Sequence, residues 1–427
     1  MDKLHNAHYF SLSSQGNIYT LANLPLVNNT NKLLVASLRR EVLFFEYVEN
    51  YLGALIPCTK EVSFTYLPNG AEIISIDAFN KSENTNEFVI GITIIKNSTD
   101  LHTLETFLNI YSGWEESKEF NMESLSQNCL NNIELRYIPY HLTHTYLITW
   151  SDDEIISKEM VFALSGSDSK VHIYQENKTN HTYKEIDAME YFPEFVKPSS
   201  VVVWMDIYYY NNYLERVTVF GCECGYVRLC RYNLKLSKIM FNFSTNFNNT
   251  ISNVRIYLEE QKLKQPDCIK EEYKETTLEY INPILNVVVT NTLLPPVHFR
   301  DVLQFGLGRY DCLPRLDLTS VFSSTEIADI NFDGVHEILI GTSNHEVIAY
   351  EFDKSHGWYI SDVRHFASPI LGLKYVDITG DGVKELVVLT MKGIIILQHD
   401  HKSITETLEE KLKILTIPNI KSLSIEN

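Results

Sequence analysis

Residues 329–342 read DINFDGVHEILIGT, and residues 377–390, 48 positions further on, read DITGDGVKELVVLT. Each stretch opens with an acidic loop centred on glycine and closes with a short apolar run. An apolar run of that length, bounded by turn residues, reads as a buried β-strand. Self-similarity near this period is the signature of a repeat built from one supersecondary unit.

The sequence around the loops extends the likeness. In the later unit PILGLKYVDI (369–378) reads as a strand, ELVVLT (385–390) as a second, MKG (391–393) as a turn and IIILQH (394–399) as a third. In the earlier unit TEIADI (325–330), EILIGT (337–342) and EVIAYEF (346–352) take the same places, and GWYISDVRHF (357–366) adds a fourth strand. The same apolar strand–turn–apolar strand pattern recurs in KLLVASLRREVLFFEY (32–47), EFVIGITIIK (87–96) with FLNIY (107–111), and MVFALSGSDSKVHIY (160–174). It recurs again in RVTVFGCECGYVRLCRY (216–232) and, more loosely, in ILNVVVTNTLLPPVHFRDVL (284–303). That makes seven units. The fold class is all-β, and the expected architecture is a seven-bladed β-propeller, in which stacked blades bury faces that no blade can bury alone. Two separate β domains, such as sandwiches, are the competing arrangement.

The expected layout is one propeller over residues 1–400, closed by a strand near Gly16–Leu24 joining the last blade. EEQKLKQPDCIKEEYKETTLEY (259–280) is charged and reads as a surface insertion. Residues 401–427 form a short C-terminal helix and tail. Ile404, Leu408, Leu412 and Leu415 share one helical face, which can dock on the propeller or on a partner.

The first loop places oxygens at Asp329, Asn331 and Asp333, with Gly334 permitting the turn and Glu337 adding another oxygen. The second offers Asp377, Thr379, Asp381 and Glu385, with Thr379 a poorer donor. Calcium takes six to eight hard oxygens, so the donor type suits it. The loop is not an EF-hand, because its twelfth position is Ile340. The same residues also stabilise tight turns without metal, by accepting nearby backbone N–H groups. Both readings stand at this point, and no cofactor is required by either.

Other chemistry is thin. The chain carries no phosphate-loop, zinc-protease or nucleophile-elbow motif. Cys222 and Cys224 would share a strand face as buried thiols, and Cys230 lacks the spacing of a zinc set. His141 and His144 would point to opposite faces of a strand. A formal net charge of −19 over 427 residues argues against nucleic-acid binding and against basic contact with anionic lipid. The N-terminus has no apolar segment of a secretory signal, and seven cysteines read as reduced thiols of the cytosol.

The paired acidic loops followed by apolar strands resemble the FG-GAP repeats of integrin-α-like propellers. A wider set of runs is similar to the kaptin family. These are AEIISIDAFNKS (71–82), FVIGITIIK (88–96), FLNIY (107–111), ESLSQNCLNNIELRYIPYHLTH (123–144), CGYVRL (224–229), ADINFDGVHEILIGT (328–342) and YVDITGDGVKELVVLTMKGIIILQH (375–399). The resemblance implies a non-catalytic scaffold subunit of KICSTOR at the cytosolic face of the lysosomal membrane. There the complex recruits the GATOR-type GTPase-activating complex acting on Rag GTPases, and so restrains TOR signalling when amino acids or glucose run short. It implies pairing with a second FG-GAP-repeat propeller subunit and with a very large scaffold subunit. It also implies the alternative of an actin-associated cytoskeletal protein. A calcium-dependent adhesion or enzyme propeller is the third class, carried by the loops alone. The family supplies no catalytic residues to place on this chain.

Overall fold

A computed structural model describes residues 1, 4–82, 84–97, 104–113, 121–151, 154–259, 283–315 and 319–416. Its strands form seven antiparallel sheets of four strands each. The sheets are blades 1 to 7 below, with strands a to d running from the axis outward. Blade 1 spans residues 21–62, blade 2 residues 71–135, blade 3 residues 139–186 and blade 4 residues 202–246. Blade 5 spans residues 251–312 and blade 6 residues 322–365. Blade 7 takes strands a to c from residues 370–399 and strand d from Leu4–Ser11. The a strands of successive blades touch one another, which places them around the axis.

The b strands show why the sequence units read as unbroken apolar runs. Leu285–Asn291, Glu337–Thr342 and Glu385–Thr390 are buried at every position, and so is Glu215–Cys222. A neighbouring blade covers each face, so alternation disappears, as it does in any sheet packed on both sides. The d strands lie at the rim. Lys238–Asn246 in blade 4 alternates between half-buried and exposed positions. Strand a of blades 2 to 7 carries a register irregularity near its start, such as Phe322/Ser324 in blade 6 and Ile370/Gly372 in blade 7. A bulge adds twist, and these strands need it because they splay from a crowded axis.

The ring closes differently from expectation. Leu4–Ser11 pairs antiparallel with Gly393–His399, whereas Leu21–Pro25 is strand a of blade 1. The reason lies in burial. Leu24 is fully buried and Ala22 nearly so, which suits the axis. Leu4–Ser11 buries only Leu4, which suits a rim strand. Arg364 Nη1 of blade 6 donates to the Leu4 carbonyl at 2.6 Å, and the Met1 ammonium lies 2.9 Å from Asp362. These contacts pin the closing strand from the neighbouring blade.

The C-terminal helix runs His401–Thr416. Leu408 and Leu412 on its apolar face are 56% and 59% exposed, so docking on the propeller does not bury that face at these positions. Leu415, residues 260–280 of the expected insertion and the tail from 417 lie outside the described side chains or residues. Strand b of blade 4 ends at Cys222, and Cys224 falls in the following turn, where Gly225 has φ +88°. The expectation of two thiols on one strand face therefore fails. Cys222 is buried and Cys224 exposed. Burial pushes the Cys222 thiol up to about 11 and the Cys230 thiol up to about 12, so neither is a ready thiolate.

Candidate functional site

The two acidic loops join strands a and b of blades 6 and 7, on one face of the propeller. In blade 6, Asp329 accepts the N–H of Asp333 at 3.0 Å and of Gly334 at 2.9 Å. Asn331 Oδ1 accepts the Asp333 N–H at 2.8 Å, and Asp333 accepts the Val335 N–H at 2.6 Å. Glu337, the first residue of strand b, reaches back to accept the Ile330 N–H at 2.8 Å and the Asn331 side-chain amide at 2.5 Å. Blade 7 repeats the pattern. Asp377 accepts the N–H groups of Gly380 at 2.6 Å and Gly382 at 2.9 Å, and Asp381 that of Val383 at 2.8 Å. Glu385 accepts the Ile378 N–H at 2.8 Å and the Thr379 hydroxyl at 3.1 Å.

Backbone geometry explains the glycines. Gly334 and Gly382 have φ of +80° and +85°, where a Cβ is strained. The position two residues earlier is also left-handed in both loops, yet it is Phe332 in blade 6 and Gly380 in blade 7. The Phe332 ring lies 4.6 Å from that of His399 on strand c of blade 7. Burial against the next blade offsets the strain of a side chain there.

Each loop also grips its neighbour. The Asp329 carbonyl accepts the Tyr375 hydroxyl at 3.3 Å, and Tyr375 in turn pairs with His399 at 3.1 Å. The Asp377 carbonyl accepts the Asn31 N–H at 2.8 Å and the Asn31 side-chain amide at 3.1 Å, both from blade 1. The loops thus join blade 6 to blade 7 and blade 7 to blade 1. Sequence reading named the loop residues but missed Tyr375, His399 and Asn31, because no local pattern marks a contact to the next blade.

The structure brings Asp329, Asp333 and Glu337 together, and likewise Asp377, Asp381 and Glu385, with one oxygen of each within 4.8 Å of the others. Glu337 and Glu385 are 1% and 3% exposed. Burial is the main force raising their carboxyls, Glu337 to about 8 and Glu385 to about 7, with the nearby Asp charges adding to it and the backbone N–H bonds opposing it. The donor set consists of hard oxygens that fit calcium by type. Asn331 and Thr379 direct their donors at the glutamates, and the oxygens of both sets already accept loop N–H groups. The loop geometry is therefore satisfied by hydrogen bonds.

Blade 4 holds a third buried glutamate at the same strand position. Glu215 opens strand b and meets Arg231 Nη2 at 2.8 Å through both carboxylate oxygens. An arginine replaces the acidic loop here, and the common first-position glutamate was the sequence signal for the relationship. At the axis, Tyr19, His141 and Trp204 stack, with His141 and Trp204 4.3 Å apart, and Tyr19 donates to the Val203 carbonyl at 2.9 Å. His144 pairs with Asp77 at 2.7 Å, and a register irregularity between Pro139 and Leu142 interrupts the alternation on which the expected opposite facing of His141 and His144 rested.

Solved structures share this architecture at low identity. BBS1N, crystallised in complex with ARL6DN, gives a TM-score of 0.51 at 11% identity, covering 93% of this chain and 97% of that one. Saccharomyces cerevisiae Sqt1 gives 0.50 at 11% identity, covering 92% and 98%. These likenesses concern the fold. A curated mouse (Mus musculus) protein, the KICSTOR complex protein kaptin, is 34% identical over 406 residues, 94% of this chain and 89% of that protein. The family model for the KICSTOR complex protein kaptin matches residues 4–409, nearly the whole propeller and the start of the helix. The chain belongs to the family of the KICSTOR complex protein kaptin.

Proposed function

We propose that this chain is a non-catalytic scaffold subunit of a KICSTOR-like complex. The observation that carries the reading is family membership over residues 4–409. In this reading the propeller binds a second FG-GAP-repeat propeller and a large scaffold subunit. The assembly recruits a GATOR-type complex to the cytosolic face of the lysosomal membrane, and so restrains TOR signalling when amino acids or glucose fall. A rigid disc with two faces, a rim and inter-blade loops gives several partners separate places to dock. Strong net negative charge and the absence, among the described residues, of a helix fit to cross a bilayer are compatible with recruitment by protein partners. The acidic loops serve as joints between blades, and calcium is a further occupant that the experiment below tests.

The test is affinity purification of the tagged chain from nutrient-starved cells, with and without chelator, followed by mass spectrometry. Recovery of a second FG-GAP propeller and a giant scaffold protein in both samples is expected. Their loss only under chelator would make the loops metal-dependent joints. Their absence from both samples would overturn the scaffold reading, and recovery of actin alone would replace it with a cytoskeletal one.

A further inference from the structure

Blades 5 and 6 enclose a pocket of about 300 Å³ on the face that carries the acidic loops. Its floor is an aromatic cluster held by hydrogen bonds. His298, 3% exposed, accepts the Trp358 indole N–H at Nδ1 over 3.3 Å and faces the Tyr257 hydroxyl from Nε2 at 2.9 Å. Burial first, and Arg300 second, pull His298 down to about 3, so the ring is neutral and its Nε2–H donates to Tyr257. Phe352 stands edge-on to Trp358 at 5.4 Å, and His336 edge-on to Tyr257 at 6.0 Å. The mouth is formed by Val335 of the blade 6 loop, 40% exposed. Five of its eleven lining residues carry aromatic or imidazole rings.

The rim carries charge of one sign in excess. Arg300 lies over Phe352 at 5.2 Å and 3.7 Å from Glu259, whose other oxygen accepts the Asn286 amide at 3.1 Å. Lys354 is exposed and makes no ion pair among the described residues. Of the lining residues, two are cations and one is a carboxylate already engaged, in a chain whose net charge is −19. A volume at the lower end of ligand pockets suits one large side chain.

We propose that this pocket receives a short acidic segment of a partner protein. An aromatic or leucine side chain stands on the His298–Trp358 floor, and an adjacent aspartate or glutamate meets Lys354 and Arg300. Apolar burial supplies affinity, and the rim cations select the acidic neighbour. The inference stands on the pocket and holds whichever complex the chain joins.

The experiment pans a displayed random peptide library against the full chain and against two variants. Val335→Trp fills the mouth, and Lys354→Glu reverses the rim; both positions are exposed, and melting temperature checks that both variants fold. The expected result is enrichment of peptides with an aromatic or leucine residue beside Asp or Glu. Their binding falls about tenfold or more with each variant. Enriched peptides without acidic residues, equal binding to all three proteins, or no enrichment would overturn the proposal. Binding of phenylacetate with the same Lys354 dependence, and no peptide enriched, would overturn the partner segment in favour of a small carboxylate. Should one variant unfold, the other alone decides between these outcomes.

Discussion

The backbone carbonyl of Asp377 in blade 7 accepts the N–H of Asn31 in blade 1 at 2.8 Å, and the Asn31 side-chain amide reaches the same oxygen at 3.1 Å. Blade 7 holds strands from both ends of the chain, so this joint secures the seam where the ring closes. Asn31→Ala removes this side-chain bond, together with the one its Oδ1 accepts from the Asn23 amide at 3.1 Å, and leaves the main-chain bond. The expected loss is about 1 to 2 kcal/mol, read as a lower urea midpoint with an unchanged slope. An unchanged midpoint would show that the main-chain bond alone holds the seam.

The closing strand itself carries more. Removing residues 1–11 strips strand d from blade 7 and opens the edge of Gly393–His399, where Ile394 and Ile396 are buried. An uncovered apolar edge strand templates association. The truncated chain is expected to run as oligomer or aggregate in size-exclusion chromatography and to lose its cooperative melting transition. A monodisperse truncation melting with the intact chain would contradict this.

How far the fold was legible depends on which contacts are local. The b strands announced themselves, because burial on both faces demands unbroken apolar runs such as ELVVLT (385–390). The acidic loops were legible as turns, since their hydrogen bonds run between residues a few positions apart. The closing strand was misplaced because Leu4–Ser11 buries one residue and looks like any polar stretch, while Leu21–Pro25 carries the apolar signal of an inner strand. Cys224 was misread because the strand ends two residues before it. The pocket between blades 5 and 6 was invisible, since its aromatic residues come from positions as far apart as Tyr257 and Trp358.

Asp333→Ala tests whether the blade 6 loop is a hydrogen-bonded turn or a metal site. The substitution removes the acceptor of the Val335 N–H, at an expected cost of about 1 kcal/mol. A fall of roughly 1 to 3 °C in melting temperature follows for a chain of this size. Millimolar calcium is the second measurement. A rise in melting temperature for the wild type and none for the variant would assign a cation to the loop, because a ligand that binds only the native state stabilises it. Equal response of the two proteins leaves the carboxylates as turn acceptors.

Two buried histidines make the fold sensitive to acid. His141 at the axis and His298 in the pocket are both pulled down to about 3, chiefly by burial, with Arg255 and Lys374 adding at the first and Arg300 at the second. In the unfolded chain each protonates near 6.5. Their contribution is therefore whole above about pH 6.5 and is lost progressively as pH falls from there toward 3. Glu337 and Glu385, raised to about 8 and about 7, oppose this over the same range, because the folded state holds protons that the unfolded chain has released. The comparison between proteins is therefore decisive: as pH falls from 7 to 5, the urea midpoint of the double variant His141→Phe, His298→Asn is expected to rise relative to the wild type. An identical pH dependence of the two midpoints would place the acid sensitivity elsewhere.

Glu194 and Arg216 form the most deeply buried ion pair of blade 4, each 1% exposed. Arg216 Nε lies 2.8 Å from one glutamate oxygen, and Nη2 donates to the other at 3.0 Å. Thr218 donates to Glu194 at 2.9 Å, Arg216 donates to the Tyr191 carbonyl at 2.9 Å, and the guanidinium lies 4.3 Å from the Phe192 ring centre. The pair ties the short turn at Pro193–Phe195 to strand b. Desolvating both charges costs much of what their attraction returns, so the pair adds little net stability. Breaking it is another matter. Glu194→Gln leaves a buried guanidinium without its counter-charge, at about 3 to 5 kcal/mol. Replacing both residues, with Glu194→Leu and Arg216→Met, removes the orphan and should restore most of that loss. Chemical denaturation of the two variants decides the matter. A double variant as unstable as the single one would mean that the pair's hydrogen bonds to Thr218 and Tyr191, rather than the balance of charge, hold the blade 4 turn in place.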